Sequence, residues 1–236
     1  MTERAELIAP AFHLPRDGVD LAYTDTLTGL GNRRRFCDRI GRLIGERADD
    51  PAPFAISIID LDGFKPINDL LGRRAGDDIL AQVAMRLRAA MDMSATVSRV
   101  GSDEFAVLYP LVFSESAVVE RAKMLIEILS APYDLGDRSA RLSASVGCSL
   151  FFSGDETTEI LIDKAETALY QAKRSGRGKV VVYTREMEEA AKRVTEIEQA
   201  LRRAVSAGEV EPHFQPIVCL KTRRILGFET LARWTD

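Results

Sequence analysis

Two strand-like runs, Thr96 to Val100 and Phe105 to Tyr109, are joined only by Gly101-Ser102-Asp103-Glu104. So short a link of that composition closes a tight β-hairpin. The rest of the chain alternates. Phe54 to Ile59 is a short, β-branched, apolar run bounded by Pro53 and Asp60, and reads as a buried strand; Leu142 to Phe151 and Lys179 to Tyr183 read as further strands. Helical spacing marks Phe36 to Ile44 and residues 77–91, where Ile79, Leu80, Val83, Ala84, Leu87 and Met91 share a face, with further helices over Ser116 to Leu129 and Thr158 to Lys173. Alternation alone would build a parallel sheet. The hairpin forces antiparallel neighbours into it, so the expected fold is an α/β (α+β) sandwich with a mixed central sheet flanked by helices.

This pattern occupies residues 21–183 of 236, after a lead-in over 1–20 that carries Pro10, Pro15 and Gly18 without a sustained period. Over 184–209 the composition turns to charged helix, with Val194, Ile197, Leu201 and Val205 at helical spacing, and a connecting helix is expected. Residues 210–236 open a new strand-rich unit too short to close a domain. With 46% hydrophobic and 29% charged residues the chain is globular, not disordered or fibrous. A net charge of −4 argues against a general nucleic-acid binder. No apolar run reaches the ~18 residues of a membrane span, and no signal peptide opens the chain, so a cytoplasmic protein is expected. Cys37, Cys148 and Cys219 stand far apart in apolar sequence and read as reduced core residues. With only His13 and His213, a His/Cys metal site is not expected; a metal here would be held by oxygen.

Such oxygens cluster in two places. Asp60 and Asp62 stand where the first buried strand ends, and Asp103 and Glu104 occupy the hairpin, where Gly101 allows close backbone approach. Together they would suit Mg²⁺, with phosphate oxygens completing the coordination, and two such ions could activate a hydroxyl and stabilise a leaving pyrophosphate. Lys65, Lys173 and Arg177 could neutralise the phosphates. Each feature also has a plain structural explanation. The aspartates could end a strand through turn hydrogen bonds, Asp77 could be a helix N-cap, the hairpin acids a solvated turn, and Lys173 and Arg177 a basic helix end.

Taken together, these motifs resemble a known family. Asp25-Thr26-Leu27-Thr28-Gly29-Leu30-Gly31-Asn32-Arg33-Arg34 is similar to the D-x-L-T-x-L-x-N-R opening of GGDEF domains, the bacterial diguanylate cyclases. The run Asp60 to Asp77 resembles their D-x-D-x-F-K-x-x-N-D-x-x-G-x-x-x-G-D block. Arg99 to Phe105 stands at the signature hairpin, and Ala168 to Lys173 with Gly176-Arg177 resembles the closing element. The resemblance implies a mainly antiparallel sheet like those of nucleotidyl cyclases and polymerase palms, and conversion of two GTP into cyclic di-GMP and two pyrophosphates. Carried over by position, Asp60, Asp103 and the Leu61 carbonyl hold Mg²⁺ or Mn²⁺, while Glu104 assists or deprotonates the attacking 3′-hydroxyl. Asn68 and Asp77 read the guanine edge, and Lys65, Lys173 and Arg177 hold the triphosphate. Gly101 and Ser102 lie against the nucleotide. Each domain supplies half a site, so a homodimer is required.

The departures are specific. Ser102 replaces the second signature glycine, Arg73 a usual histidine and Glu166 a usual aspartate. The product-inhibition motif R-x-x-D is absent, its place taken by Asp92-Met93-Ser94-Ala95. The tail, Phe214-Gln215-Pro216-Ile217 and Gly227 to Trp234, is similar to the start of an EAL phosphodiesterase domain, with E-T-L retaining Glu229. The remaining ligands of that barrel would lie beyond Asp236, so hydrolysis of cyclic di-GMP by its mechanism is not expected, and a loosely packed or disordered stub is the plain alternative. Two functions stay open: a cyclase, or a silent GTP-binding module regulating an attached EAL domain.

Overall fold

The computed structural model describes residues 21–47, 52–112, 114–152 and 156–234; the lead-in expected over 1–20 lies outside them. The chain divides into two compact units, with the boundary in sequence between Thr184 and Arg185.

The first unit is built on a six-stranded sheet. Its strands are β1 (Gly31–Asn32), β2 (Phe54–Asp62), β3 (Thr96–Arg99), β4 (Glu104–Tyr109), β7 (Ser143–Phe151) and β8 (Val180–Val182), in the order β1-β3-β4-β2-β7-β8. A small separate hairpin pairs β5 (Tyr133–Asp134) with β6 (Ser139–Ala140). β3–β4, β4–β2 and β2–β7 are antiparallel, whereas β1–β3 and β7–β8 are parallel. The sheet is therefore mixed and mainly antiparallel, as the hairpin required.

Helices α1 (Arg33–Glu46), α2 (Phe64–Leu71), α3 (Arg73–Ala90), α4 (Glu115–Ser130) and α5 (Thr158–Arg174) flank it. The two-residue period of β2 sorts the core. Ala55, Ile59 and Leu61 join a cluster with Ile79 and Val83 of α3 and Val118 and Leu125 of α4. Phe54, Ile56 and Ile58 face the other way, onto Phe36 and Ile40 of α1 and Leu161 and Ala165 of α5. Asp60 continues that second series, so the period alone assigns it to the α5 face. Helix α5 reaches the sheet closely because β7 has Gly147 beneath it. A Cβ there would lie 2.1 Å from the Ala165 carbonyl oxygen and 2.2 Å from the Leu169 amide nitrogen.

Two expectations are corrected. The helix read over 77–91 starts at Arg73, because Gly72, at φ 88°, separates α2 from α3 and caps α3. Its first turn opens on exposed, charged Arg73 and Arg74 and leaves no apolar period to read; with the helix starting at Arg73, Asp77 lies inside it and is no N-cap. Second, of the three cysteines only Cys148 is core, its thiol pushed up by burial to about 12; Cys37 and Cys219 are partly exposed. The tail forms a two-stranded hairpin.

That hairpin belongs to the second unit, which contains α6 (Arg185–Ala207), β9 (Glu211–Val218) and β10 (Ile225–Arg233). The strands pair antiparallel, with Glu229 opposite Gln215. All of β9 is exposed, including Phe214 and Ile217, and so are Ile197, Leu201 and Val205 on α6. Among the described residues no helix is long and apolar enough to cross a membrane.

Candidate active site at the sheet edge

Strand β2 runs past the expected Ile59 and carries Asp60, Leu61 and Asp62 to the sheet edge. Asp60 stands opposite Glu104 on β4 and opposite Ser145 on β7. Since Glu104 shares the face of Ala106 and Leu108, both carboxylates lie on the α5 side. Helix α5 ends there, and Lys173 Nζ meets Asp60 Oδ2 at 2.5 Å. Asp60 is only 8% exposed. Burial pushes its carboxyl above the usual aspartate range; Lys173 opposes the shift, and Asp103 and Asp62 add to it. Glu104 is raised too, first by burial and then by Asp60, with Lys173 again opposing.

The hairpin is held from both sides. Glu104's carbonyl accepts the amides of Val100 at 2.9 Å and Gly101 at 3.2 Å, and the Leu61 amide donates to the Asp103 carbonyl at 3.2 Å. Gly101 is needed for space and not for a left-handed backbone, since a Cβ there would sit 2.5 Å from Glu104 Oε2. Ser102 likewise has no positive φ, so serine fits this turn without backbone strain. Its hydroxyl donates to Asp103 Oδ1 at 2.6 Å.

Sequence reasoning passed over two positioning networks. Arg99 Nη1 lies 3.3 Å from both oxygens of Asp25, and its Nη2 donates to the Ser102 carbonyl at 2.6 Å. Asp25 in turn accepts Thr28's amide at 3.0 Å and hydroxyl at 2.6 Å, so the opening motif is a turn that braces the signature hairpin. The second network centres on Asp62, which accepts the Ser145 hydroxyl at 2.8 Å and the Gly178 amide at 3.1 Å, with Arg177 Nε at 3.7 Å. Arg177 sits at φ 59° between left-handed Gly176 and Gly178, a strain of about 1 kcal/mol for a residue with a Cβ. The alternation of Asp60 and Asp62 was the available signal, since both face the same side.

Of the other predicted residues, Asn68 and Asp77 lie near the corner between α2 and α3 and Lys65 in the first turn of α2. Lys65 and Asp77 are exposed and Asn68 is half-buried. The structure thus brings Asp60, Glu104, Asp103 and Lys173 together, sets Arg177 beside them on Asp62, and leaves Lys65 projecting from α2.

Among the described residues no three His, Cys, Asp or Glu side chains converge into a ready chelate. Mg²⁺ does not require one, because it is usually bound by one or two carboxylates with substrate phosphates and water. Two desolvated, mutually repelling carboxylates beside one ammonium fit such an ion: hard oxygens short of positive charge.

A family model described as the diguanylate cyclase GGDEF domain matches residues 22–179, and one for the EAL domain matches 198–236. MucR of Pseudomonas aeruginosa, a bifunctional diguanylate cyclase/cyclic di-GMP phosphodiesterase, is 34% identical over 93% of this chain and 32% of its own. Protein y4lL of Sinorhizobium fredii is 37% identical over 91% of this chain and 26% of its own. The chain therefore spans roughly a quarter to a third of these curated relatives. Among solved structures, the GGDEF domain of YfiN from P. aeruginosa superposes with a TM-score of 0.68 at 34% identity, over 72% of this chain and 99% of that one. The GGDEF domain of DgcB from Caulobacter crescentus, solved with c-di-GMP, gives 0.64 at 28% identity over 72% and 98%.

Proposed function

Because the chain belongs to the GGDEF family of diguanylate cyclases, we propose that it condenses two GTP into cyclic di-GMP, at a site completed by a second GGDEF domain. What supports this is the pair Asp60 and Glu104, opposite each other and desolvated at one sheet edge, with Lys173 beside them. In each half-reaction a ribose 3′-oxygen bonds to the α-phosphorus of the other GTP, the bond to the β-phosphate breaks and pyrophosphate leaves.

Asp60, Asp103, Glu104 and the Leu61 carbonyl would hold Mg²⁺ or Mn²⁺, which when bound supplies charge neutralisation and a lowered hydroxyl pKa. Glu104, its carboxyl raised by burial, is suited to accept the 3′-hydroxyl proton. Lys173 neutralises Asp60 in this structure and would neutralise the triphosphate of a bound nucleotide. Arg177 and Lys65 add charge to the same end of the nucleotide, where Ser102 and Gly101 line the turn. Asn68 and Asp77 face the guanine, a carboxylate being apt for its paired N–H donors. Where R-x-x-D would stand, Asp92 caps its own turn, accepting the amides of Ser94 at 2.9 Å and Ala95 at 3.1 Å. Feedback inhibition through that motif is therefore not expected. The reaction is set in the bacterial cytoplasm, where GTP is available.

The Ser102–Asp103 hydrogen bond favours a second reading, since it turns one oxygen of a carboxylate assigned to the metal toward the serine. The chain would then bind GTP silently and regulate an attached EAL domain. Incubation with GTP and Mg²⁺, with chromatographic detection of cyclic di-GMP, separates the two. Product is expected from the parent chain and none from Asp103→Asn; product from that variant would overturn the metal assignment. GTP binding without product, with turnover appearing in Ser102→Gly, would establish the regulatory reading.

A further inference from the structure

The corner between α2 and α3 contains a contact that explains an otherwise unfavourable residue. Gly76 lies inside α3, at ordinary helical φ and buried. A glycine there disfavours the helix relative to alanine. The space its missing side chain leaves is filled by Asn68: a Cβ on Gly76 would lie 1.7 Å from Asn68 Oδ1, 2.8 Å from its Cγ and 3.2 Å from its Nδ2. Asn68 Oδ1 is also buried and has no hydrogen-bond partner in the structure. An acceptor removed from water and given no donor is not oriented by hydrogen bonding. The packing against Gly76 is what sets the plane of this carboxamide.

We propose that Gly76 is a specificity-determining positioning residue: its bare Cα receives the Asn68 carboxamide oxygen and so directs the amide –NH₂ toward an acceptor on the guanine edge. The inference rests on the reading of Asn68 as a guanine contact and extends it to a residue that touches no ligand. Any Cβ at Gly76 must push the carboxamide aside. The displaced group is the free end of a side chain, so the fold absorbs the shift while the recognition geometry is lost.

The test is a double-mutant cycle read by equilibrium binding of fluorescent mant-GTP and mant-ATP, with thermal denaturation alongside. Asn68→Ala and Gly76→Ala should each weaken mant-GTP binding on the order of tenfold, the worth of about one hydrogen bond. Mant-ATP binding should stay unchanged, and the double variant should be no weaker than either single one. Gly76→Ala should melt at or above the parent. If it melts lower, the double variant, which lacks the carboxamide, must recover the loss, and failure to recover overturns the steric coupling. Full mant-GTP affinity in Gly76→Ala, with affinity lost in Asn68→Ala, overturns the inference and leaves the reading of Asn68 standing. Full affinity in Asn68→Ala removes that reading and the inference with it.

Discussion

Glu104 is the residue at which function and stability oppose each other most directly. Its carboxyl is raised by burial and by Asp60, so the folded protein holds the proton more tightly than the unfolded chain. A group of that kind contributes stability when protonated, at low pH, and that contribution is lost as the pH rises through its folded pKa. At about pH 8 the ionised, desolvated carboxylate is therefore destabilising. Glu104→Gln should raise the melting temperature there in metal-free buffer, with the gap closing as the pH falls toward the ordinary glutamate range. Thermal denaturation at both pH values checks this, and a constant gap would mean that the charge is not the cause. Mg²⁺ with GTP should reverse the order, stabilising the parent more than the variant. Asp60 has the same tendency but is partly relieved by Lys173 at 2.5 Å, which makes Glu104 the cleaner probe.

Among the elements, α5 carries Lys173 to the sheet edge, and its closeness to β7 decides whether the lysine reaches Asp60. Gly147 sets that distance. A Cβ would meet Ala165 and Leu169 backbone atoms, which cannot swing away as a side chain can. Gly147→Ala should cost about 3 kcal/mol, the upper range of overpacking in a dense core. Denaturant unfolding should show a lower midpoint at unchanged slope. It should also weaken nucleotide binding, because α5 must lift together with Lys173. The two glycines therefore predict opposite outcomes for the same substitution: at Gly147 the obstacle is backbone, at Gly76 a movable side chain.

At the scale of the whole molecule the proposed reaction needs two such sites. One chain presents one set of carboxylates and one α2–α3 corner, while the proposed product joins two nucleotides. Where chains are mostly monomeric, doubling the protein concentration should increase the rate of cyclic di-GMP formation about fourfold, by mass action on a weak dimer. A strictly proportional rate would mean that a single chain, or a dimer already saturated, carries the activity; sedimentation at the same concentrations distinguishes these.

Much of this was written in local order. The hairpin of Thr96 to Tyr109, the buried run at Phe54 and the apolar faces of α3 and α5 follow from periods of two and about 3.6, which depend only on neighbours in the chain. The mixed sheet followed from these elements, and the family from their motifs. Other features had no local signal. The first turn of α3 carries charges in place of a period, and the strand-rich tail offers too few residues to say how its exposed apolar side chains are covered. What only the tertiary structure decided is which distant groups meet. Asp60 finds Lys173, Arg99 bridges Asp25 to the hairpin, and Asp62 gathers Ser145 and Gly178. Those meetings depend on the order of the strands and on which face each helix covers. Spacing along the chain says which side of an element a residue occupies, but not what is packed against that side.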